Sequence, residues 1–185
     1  MNNLPQGGTY LAGASFDSPP TPATSLYIID GYPSVDMQKY NMATDVWVSR
    51  NAIPTGRASS TGGTAVAAVG ATRIYAFGHG YPPYPVYGRI NEQYTLATDA
   101  WTSRRSMPTA RSAPGATAKG NSVFVVGGAN PTVPTVLSSV EIYNAATDAW
   151  ATGMQRAAGC RMLRAAHVGS RFRVQAMRCP PLATS

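Results

Sequence analysis

The sequence predicts an all-β protein of repeated four-stranded antiparallel sheets stacked as blades of a β-propeller, and three observations lead to this prediction. An eight-residue phrase occurs three times, as "YNMATDVW" from Tyr40, "YTLATDAW" from Tyr94 and "YNAATDAW" from Tyr143. Apolar runs recur at spacings of 48 and 49 residues, as "LYII" from Leu26, "IYAF" from Ile74 and "VFVV" from Val123. Charged residues are only 12% of the chain, whereas Gly (18) and Pro (15) are plentiful, a balance that favours strands and turns.

The third unit shows how one repeat divides into strands. "RSAPGATA" reads as a strand of small residues, "KGNS" as a hairpin turn, "VFVV" as a second strand, "SSVEIYN" as a third and "AWATG" as a fourth. A strand that is apolar at every position is covered on both faces. Such a sheet is unstable alone, so units with a period near 50 residues should stack around an axis. Each Trp of the phrase, at 47, 101 and 150, should then pack one blade against its neighbour.

These residues resemble kelch repeats. That family has an apolar strand ending in Gly–Gly, then Tyr–Asp or Tyr–Asn, then Trp, and often Pro and Arg before the next unit. Residues 24–156 fit this pattern, although Asp30 and His79 each replace one glycine and Thr95 replaces Asn or Asp. The repeat markers are Tyr40, Trp47, Tyr94, Trp101, Tyr143, Trp150, Gly31, Gly78, Gly127 and Gly128.

The resemblance implies a kelch-type β-propeller with about 3.5 blades in this chain, an incomplete ring. We expect blade 1 at 1–50, blade 2 at 51–104, blade 3 at 105–153, and a degenerate half blade and tail at 154–185. Because kelch propellers commonly have six or seven blades, three interpretations remain open. The chain is a fragment of a larger propeller, closes a ring alone or with another chain, or stands as an open arc.

The last segment differs in charge from the rest of the chain. All eight acidic residues lie at or before Asp148, whereas six of the fifteen basic residues follow it. The net charge of +7 therefore belongs mainly to this segment, and a general nucleic-acid-binding face is not expected. "FRVQ" from Phe172 reads as a capping strand or as a decayed end. Cys160 and Cys179 are expected to be free thiols, with one bridge between them as the alternative.

Variable loops predict where binding occurs. In an a–b–c–d meander the b–c and d–a connections share one rim, and here the b–c loops differ among the units while the other turns look short or uniform. The second b–c loop carries tyrosines and an arginine among prolines, which suit an interface. The candidate binding residues on this rim are Tyr81, Tyr84, Tyr87, Arg89, Arg57, Arg111 and His79. The alternative is that the tyrosines pack locally and the arginines bond to loop carbonyls.

Motifs for chemistry are not evident in the sequence. The two histidines, His79 and His167, lack metal-ligand spacing, and neither a nucleophile elbow nor a P-loop occurs. We therefore expect no catalytic residue, cofactor or metal, and the kelch resemblance implies a non-enzymatic scaffold that binds a protein or peptide. The alternative is a fragment of a galactose-oxidase-like or carbohydrate-binding kelch protein whose active site lies elsewhere. With neither a signal peptide nor a membrane span recognisable, the cytoplasm is the favoured compartment.

Overall fold

The computed structural model of the chain describes residues 2–5, 11–16, 25–29, 36–56, 63–78, 87–130 and 135–152. The chain divides into one unit spanning Met1–Gly153 and a second spanning Met154–Ser185, and every described strand belongs to the first. The predicted half blade at 154–185, its arginines and its two cysteines lie outside the described residues.

The described strands form three four-stranded antiparallel sheets, which we call blades 1 to 3. Blade 1 contains β1 (Ala12–Ser15), β2 (Ser25–Ile29), β3 (Met37–Asn41) and β4 (Val46–Arg50) in that order. Blade 2 contains β5 (Ala65–Val69), β6 (Arg73–Phe77), β7 (Asn91–Thr95) and β8 (Ala100–Ser103). Blade 3 contains β9 (Gly115–Lys119), β10 (Ser122–Val126), β13 (Val140–Asn144) and β14 (Ala149–Thr152).

Two short features lie in the b–c connections. A 3-10 turn at Tyr87–Arg89 precedes β7, and a two-stranded ribbon of β11 (Ala129–Asn130) and β12 (Thr135–Val136) lies between β10 and β13. The described residues thus contain strands and one 3-10 turn. They include no helix that is long and apolar enough to cross a membrane.

The repeated phrase forms the hairpin between the third and fourth strands of every blade. Asp45, Asp99 and Asp148 have positive φ angles of 56°, 50° and 51°. Aspartate tolerates this left-handed conformation better than most residues, because its short side chain bonds to nearby backbone. Tyr and Trp of each phrase are direct cross-strand partners, as in the Tyr143–Trp150 pair with ring centroids 5.1 Å apart.

Two apolar clusters join the blades. The first contains Tyr27, Ile29 and Met37 of blade 1 with Ile74 and Tyr94 of blade 2, and Trp101 packs against it. This cluster buries the face of blade 2 that meets blade 1. The second cluster buries the opposite face, as the uniformly apolar strands predicted.

The second cluster joins blades 2 and 3. It contains Tyr75 and Phe77 of blade 2 with Val123 and Tyr143 of blade 3, and the Trp150 ring meets the Phe77 ring edge-on at 5.9 Å. Trp101 and Trp150 therefore pack their blades against the preceding ones, as the sequence predicted for all three tryptophans. Trp47 belongs to neither cluster and pairs with Tyr40 of its own blade, with ring centroids 4.8 Å apart.

The all-β prediction with four-stranded antiparallel blades is confirmed. The first a–b connection differs from the expected short turn, because β1 ends at Ser15 and β2 begins at Ser25. We retain 1–50, 51–104 and 105–153 as proposed blade boundaries, which fall between β4 and β5 and between β8 and β9.

Candidate binding rim

The b–c loops and the linker between blades 2 and 3 meet at one rim. The linker, residues 104–114, runs from the end of β8 to the start of β9. Its backbone bonds to the 3-10 turn of blade 2, where Met107 N donates to Arg89 O at 2.8 Å and Arg111 N donates to Gly88 O at 2.7 Å. The end of the second b–c loop is therefore held against the linker.

The same linker also holds the third b–c loop. Ser112 and Ala129 exchange two backbone hydrogen bonds, each 2.8 Å long. Leu137 N donates to Gly128 O at 2.8 Å, which closes the loop upon itself. The linker thus fixes the spacing between two neighbouring variable loops.

Two of the glycine markers permit this close approach. A Cβ atom at Gly78 would lie 2.6 Å from Arg111 O, and one at Gly128 would lie 2.7 Å from Ser112 O. Both glycines have positive φ angles, 76° and 88°. Side chains at these positions would push the linker away, so the glycines at the strand ends serve the rim as well as the turn.

Arg111 is fully buried, with 0% exposure. Its Nε donates to Glu141 Oε2 at 3.2 Å, Nη1 to Gly127 O at 2.7 Å and Nη2 to Ser139 Oγ at 2.8 Å. The expectation that Arg111 could meet an acidic ligand does not fit this geometry, since the guanidinium is enclosed by its own blade. The alternative interpretation, in which the arginine bonds to loop carbonyls, describes its surroundings.

Arg89 has the opposite environment. It is exposed at the end of the 3-10 turn, and its Nε donates to Met107 O at 2.6 Å. This bond fixes the direction of the exposed side chain. Tyr87 begins the same turn. The other predicted rim residues, Tyr81, Tyr84, His79 and Arg57, and the marker Gly31 lie outside the described residues.

A second set of contacts lies at the c–d hairpins and involves residues that the sequence interpretation missed. The Tyr hydroxyl of each phrase donates to the Asp Oδ1, at 2.6 Å for Tyr40–Asp45, 2.6 Å for Tyr94–Asp99 and 2.8 Å for Tyr143–Asp148. The same oxygens accept backbone N–H groups of Asn2, Asn51 and Arg105 at 2.7, 3.1 and 3.0 Å. The Trp Nε1 groups donate to the carbonyl oxygens of those three residues.

Every hairpin therefore binds the chain segment that enters its own blade. Asn51 follows β4 directly, so the hairpin of blade 2 binds the segment that leaves blade 1. In the same way, the hairpin of blade 3 binds Arg105, in the segment that leaves blade 2. One feature of the sequence could have identified these three partner residues. Each of them precedes a proline by three residues: Asn2 before Pro5, Asn51 before Pro54 and Arg105 before Pro108.

The hairpin contacts shift the titration of their members. The Tyr94 hydroxyl bond, together with the Asn51 amide, holds the pKa of Asp99 below its ordinary value. Burial alone would raise the pKa of Asp148, but bonds from the Arg105 amide and the Tyr143 hydroxyl outweigh it and the pKa is lowered. Burial and then the Asp148 bond raise the pKa of Tyr143. The aspartates are thus held ionised as acceptors.

The inner strands enclose an open cavity of about 680 Å³. It is lined mainly by small residues of β1, β5 and β9, such as Ala14, Ala67 and Ala118, with Phe16 and Asn121 at its margin. Small side chains let the three inner strands converge, as the "RSAPGATA" run predicted. In the described ranges, no group of three or more His, Cys, Asp or Glu side chains is placed to hold a metal ion.

Comparison with known protein families agrees with this architecture. The family model described as Kelch motif matches residues 110–154. This segment contains the end of the preceding linker and the four strands of blade 3. Comparison with curated proteins gives no match to the chain. Blades 1 and 2 repeat the strand order, hairpin geometry and aromatic pair of the matched segment. Residues 110–154 thus match the Kelch motif, and the three repeated sheets fit a kelch-type β-propeller, with three blades among the described residues.

Proposed function

We propose that this protein is a non-enzymatic scaffold that binds a protein or peptide through the rim formed by its b–c loops. Kelch repeats commonly serve as protein-binding scaffolds. The observation that carries the proposal is the environment of Arg89, an exposed residue whose side-chain direction is fixed by a 2.6 Å bond to the linker backbone. An anchored, exposed arginine loses less side-chain entropy when it binds than a free one.

The sequence around Arg89 supports the same use. Tyr81, Tyr84 and Tyr87 precede it among three prolines, at 82, 83 and 85. Tyrosine and arginine are frequent anchors of protein interfaces, and proline reduces the entropy lost when a loop becomes ordered. We propose that these four side chains form the contact surface. Arg111 is left out, because it is enclosed in blade 3.

Selection from a phage-displayed random peptide library tests the proposal. We expect peptides selected on the wild-type protein to lose binding to a variant with Tyr81, Tyr84, Tyr87 and Arg89 all replaced by Ala. Loss of two or more interface anchors should weaken binding at least about a hundredfold. The matched control is Lys119→Ala, which removes an exposed cationic side chain at the end of β9 in blade 3 and should leave binding unchanged.

Two results would refute the rim assignment. Selected peptides could bind the fourfold variant as tightly as the wild type, or the library could yield no binder to the folded wild-type protein. Circular dichroism of both variants checks that the blades remain folded.

A further inference from the structure

Each junction between blades has two chemically different sides. We call the side facing the preceding blade the leading face, and the side facing the next blade the trailing face. The leading faces of blades 2 and 3 present Ile74 and Val123 on their second strands, both with 0% exposure. The trailing faces of blades 1 and 2 present Ile29 and Phe77, with 3% and 0% exposure.

Among the described residues, no sheet covers the trailing face of blade 3. Val126 is the last residue of its second strand, as Ile29 and Phe77 are of theirs, yet it is 44% exposed. Phe124, Val140 and Ile142 share this face and are half-buried. A sheet face that is closed in the first two blades is therefore open in the third.

The composition of this face makes the exposure costly. Ile142 stands at the register position occupied by Lys39 in blade 1 and Gln93 in blade 2. A position that is polar in both earlier trailing faces is thus apolar in blade 3. Contiguous exposed apolar surface of this kind commonly marks an interface.

The leading face of blade 1 is open at its first two strands, whereas Gln38 and Tyr40 of its third strand are buried, with 4% and 7% exposure. Leu26 and Ile28 occupy the positions of Ile74 and Ala76 in blade 2, which have 0% exposure, but both are only half-buried. Neighbouring Gly13 and Ser15 of β1 are exposed. Gln38, at the position of Glu92, leaves this face without a charged group on its central strands.

Blade 1 also carries its own entering segment. At the two internal junctions this segment comes from the end of the preceding blade, and Ile53 and Met107 from it join the apolar clusters. In blade 1, Asn2 makes the corresponding bonds to Asp45 and Trp47, and Leu4 follows at the position of Ile53. Among the described residues, no sheet packs against the leading face of blade 1.

We infer that a second copy of this chain docks head to tail, with the trailing face of blade 3 against the leading face of blade 1 of the other copy. The contact would repeat the geometry of the two internal junctions, so no new type of interface is required. Because the two faces differ, the contact is heterologous, and it closes a two-chain ring or continues as a chain of copies.

Two single substitutions and their mixture test this inference by native mass spectrometry and light scattering of the full-length chain. Wild-type protein should form dimers or larger assemblies. Val126→Glu on the trailing face and Ile28→Glu on the leading face should each raise the dissociation constant at least about a hundredfold, since the contact would bury an unpaired carboxylate. Mixing the two variants should restore a heterodimer, because each supplies the intact face that the other lacks.

Val136→Glu provides the matched control, as Val136 is 89% exposed in the third b–c loop and should leave assembly unchanged. Should Val126→Glu fail to fold by circular dichroism, Ile142→Gln replaces it on the trailing face, because it restores the residue type that blade 2 has at that position. Should Ile28→Glu fail in the same way, Leu26→Gln replaces it on the leading face. Monomeric wild-type protein would overturn the inference and point to residues 154–185 or another polypeptide as the cover. Failure of two folded variants to form a heterodimer would overturn the head-to-tail geometry.

Discussion

Asp45, Asp99 and Asp148 explain why the chain repeats an otherwise plain phrase. Each adopts a positive φ, accepts a Tyr hydroxyl and accepts a backbone amide from the segment entering its blade. Most other side chains would strain the turn or leave those two donors without an acceptor. The repeated residue is thus a structural one that joins a hairpin to its linker, in keeping with its occurrence once per blade.

The lowered pKa values of these aspartates predict acid sensitivity. Hydrogen bonds favour the ionised form in the folded state, so the pKa of Asp99 lies below its ordinary value of 3.8. The unfolded chain then binds more protons at low pH, and the stabilisation present above pH 3.8 is lost as the pH falls through the folded pKa. The free energy of unfolding, measured by urea denaturation, should therefore decrease as the pH is lowered through this range.

Asp99→Asn isolates the contribution of the titrating group. Asparagine tolerates the positive φ and keeps an acceptor oxygen, but it does not ionise. We expect this variant to be less stable near neutral pH and to lose less stability on acidification than the wild type. Equal pH slopes for the two proteins would contradict the assigned role.

The elements are joined by a buried charge pair as well as by apolar clusters. Arg111 of the linker contacts Glu141 of β13 at 3.2 Å, and both side chains are almost fully enclosed. We expect Glu141→Gln to cost about 3 kcal/mol of unfolding free energy, because it leaves a buried guanidinium without its counter-charge. Urea unfolding measures this cost.

The exposed pair Arg50–Asp99 provides the control, with 3.7 Å between the groups and side chains 30% and 33% exposed. Arg50→Gln should cost less than about 1 kcal/mol. The double variant Arg111→Met with Glu141→Leu should lose less unfolding free energy than the two single variants lose in sum, since it removes both charges together. Comparable costs for Glu141→Gln and Arg50→Gln would show that the buried pair does not hold the linker.

Some features of these elements could be predicted from sequence and others could not. The aromatic and apolar runs predicted the strands and the packing of Trp101 and Trp150, because burial on both sheet faces leaves a local pattern. The interior position of Arg111 left no such local pattern, since Arg111 lies in the linker and its partner Glu141 lies 30 residues away in β13. Arg105 contacts Asp148 through its backbone amide, and a backbone contact constrains the residue type only weakly. The third unit consequently has Arg105 at the position where the other two units have Asn2 and Asn51.

Comparison of the repeats nevertheless contained a signal for the charge pair. The residue three positions after the linker proline is Gly8, Arg57 and Arg111 in successive units. The third-strand position that holds Glu141 in blade 3 holds Gln38 in blade 1 and Glu92 in blade 2. Arginine and glutamate thus occur together in two units, and both are absent from the first. This correlation at matching positions indicates a charge pair without any coordinates.

At the scale of the whole molecule, the three blades are related by one repeated junction. Tyr27 of blade 1 approaches Tyr94 of blade 2 with ring centroids 6.3 Å apart, and Tyr75 of blade 2 approaches Tyr143 of blade 3 at 5.4 Å. The same sheet face therefore meets the same opposite face twice. This repetition is the basis for both the rim of variable loops and the inferred contact between copies.

Nuclear Overhauser effects between aromatic rings of different blades test this account most directly. The account predicts cross-peaks between Trp150 and Phe77, whose ring centroids are 5.9 Å apart across the junction of blades 2 and 3. It also predicts cross-peaks between Tyr27 and Tyr94 across the first junction. A folded protein in which Trp150 contacts Tyr143 of its own sheet, but neither Phe77 nor any other blade 2 residue, would contradict it.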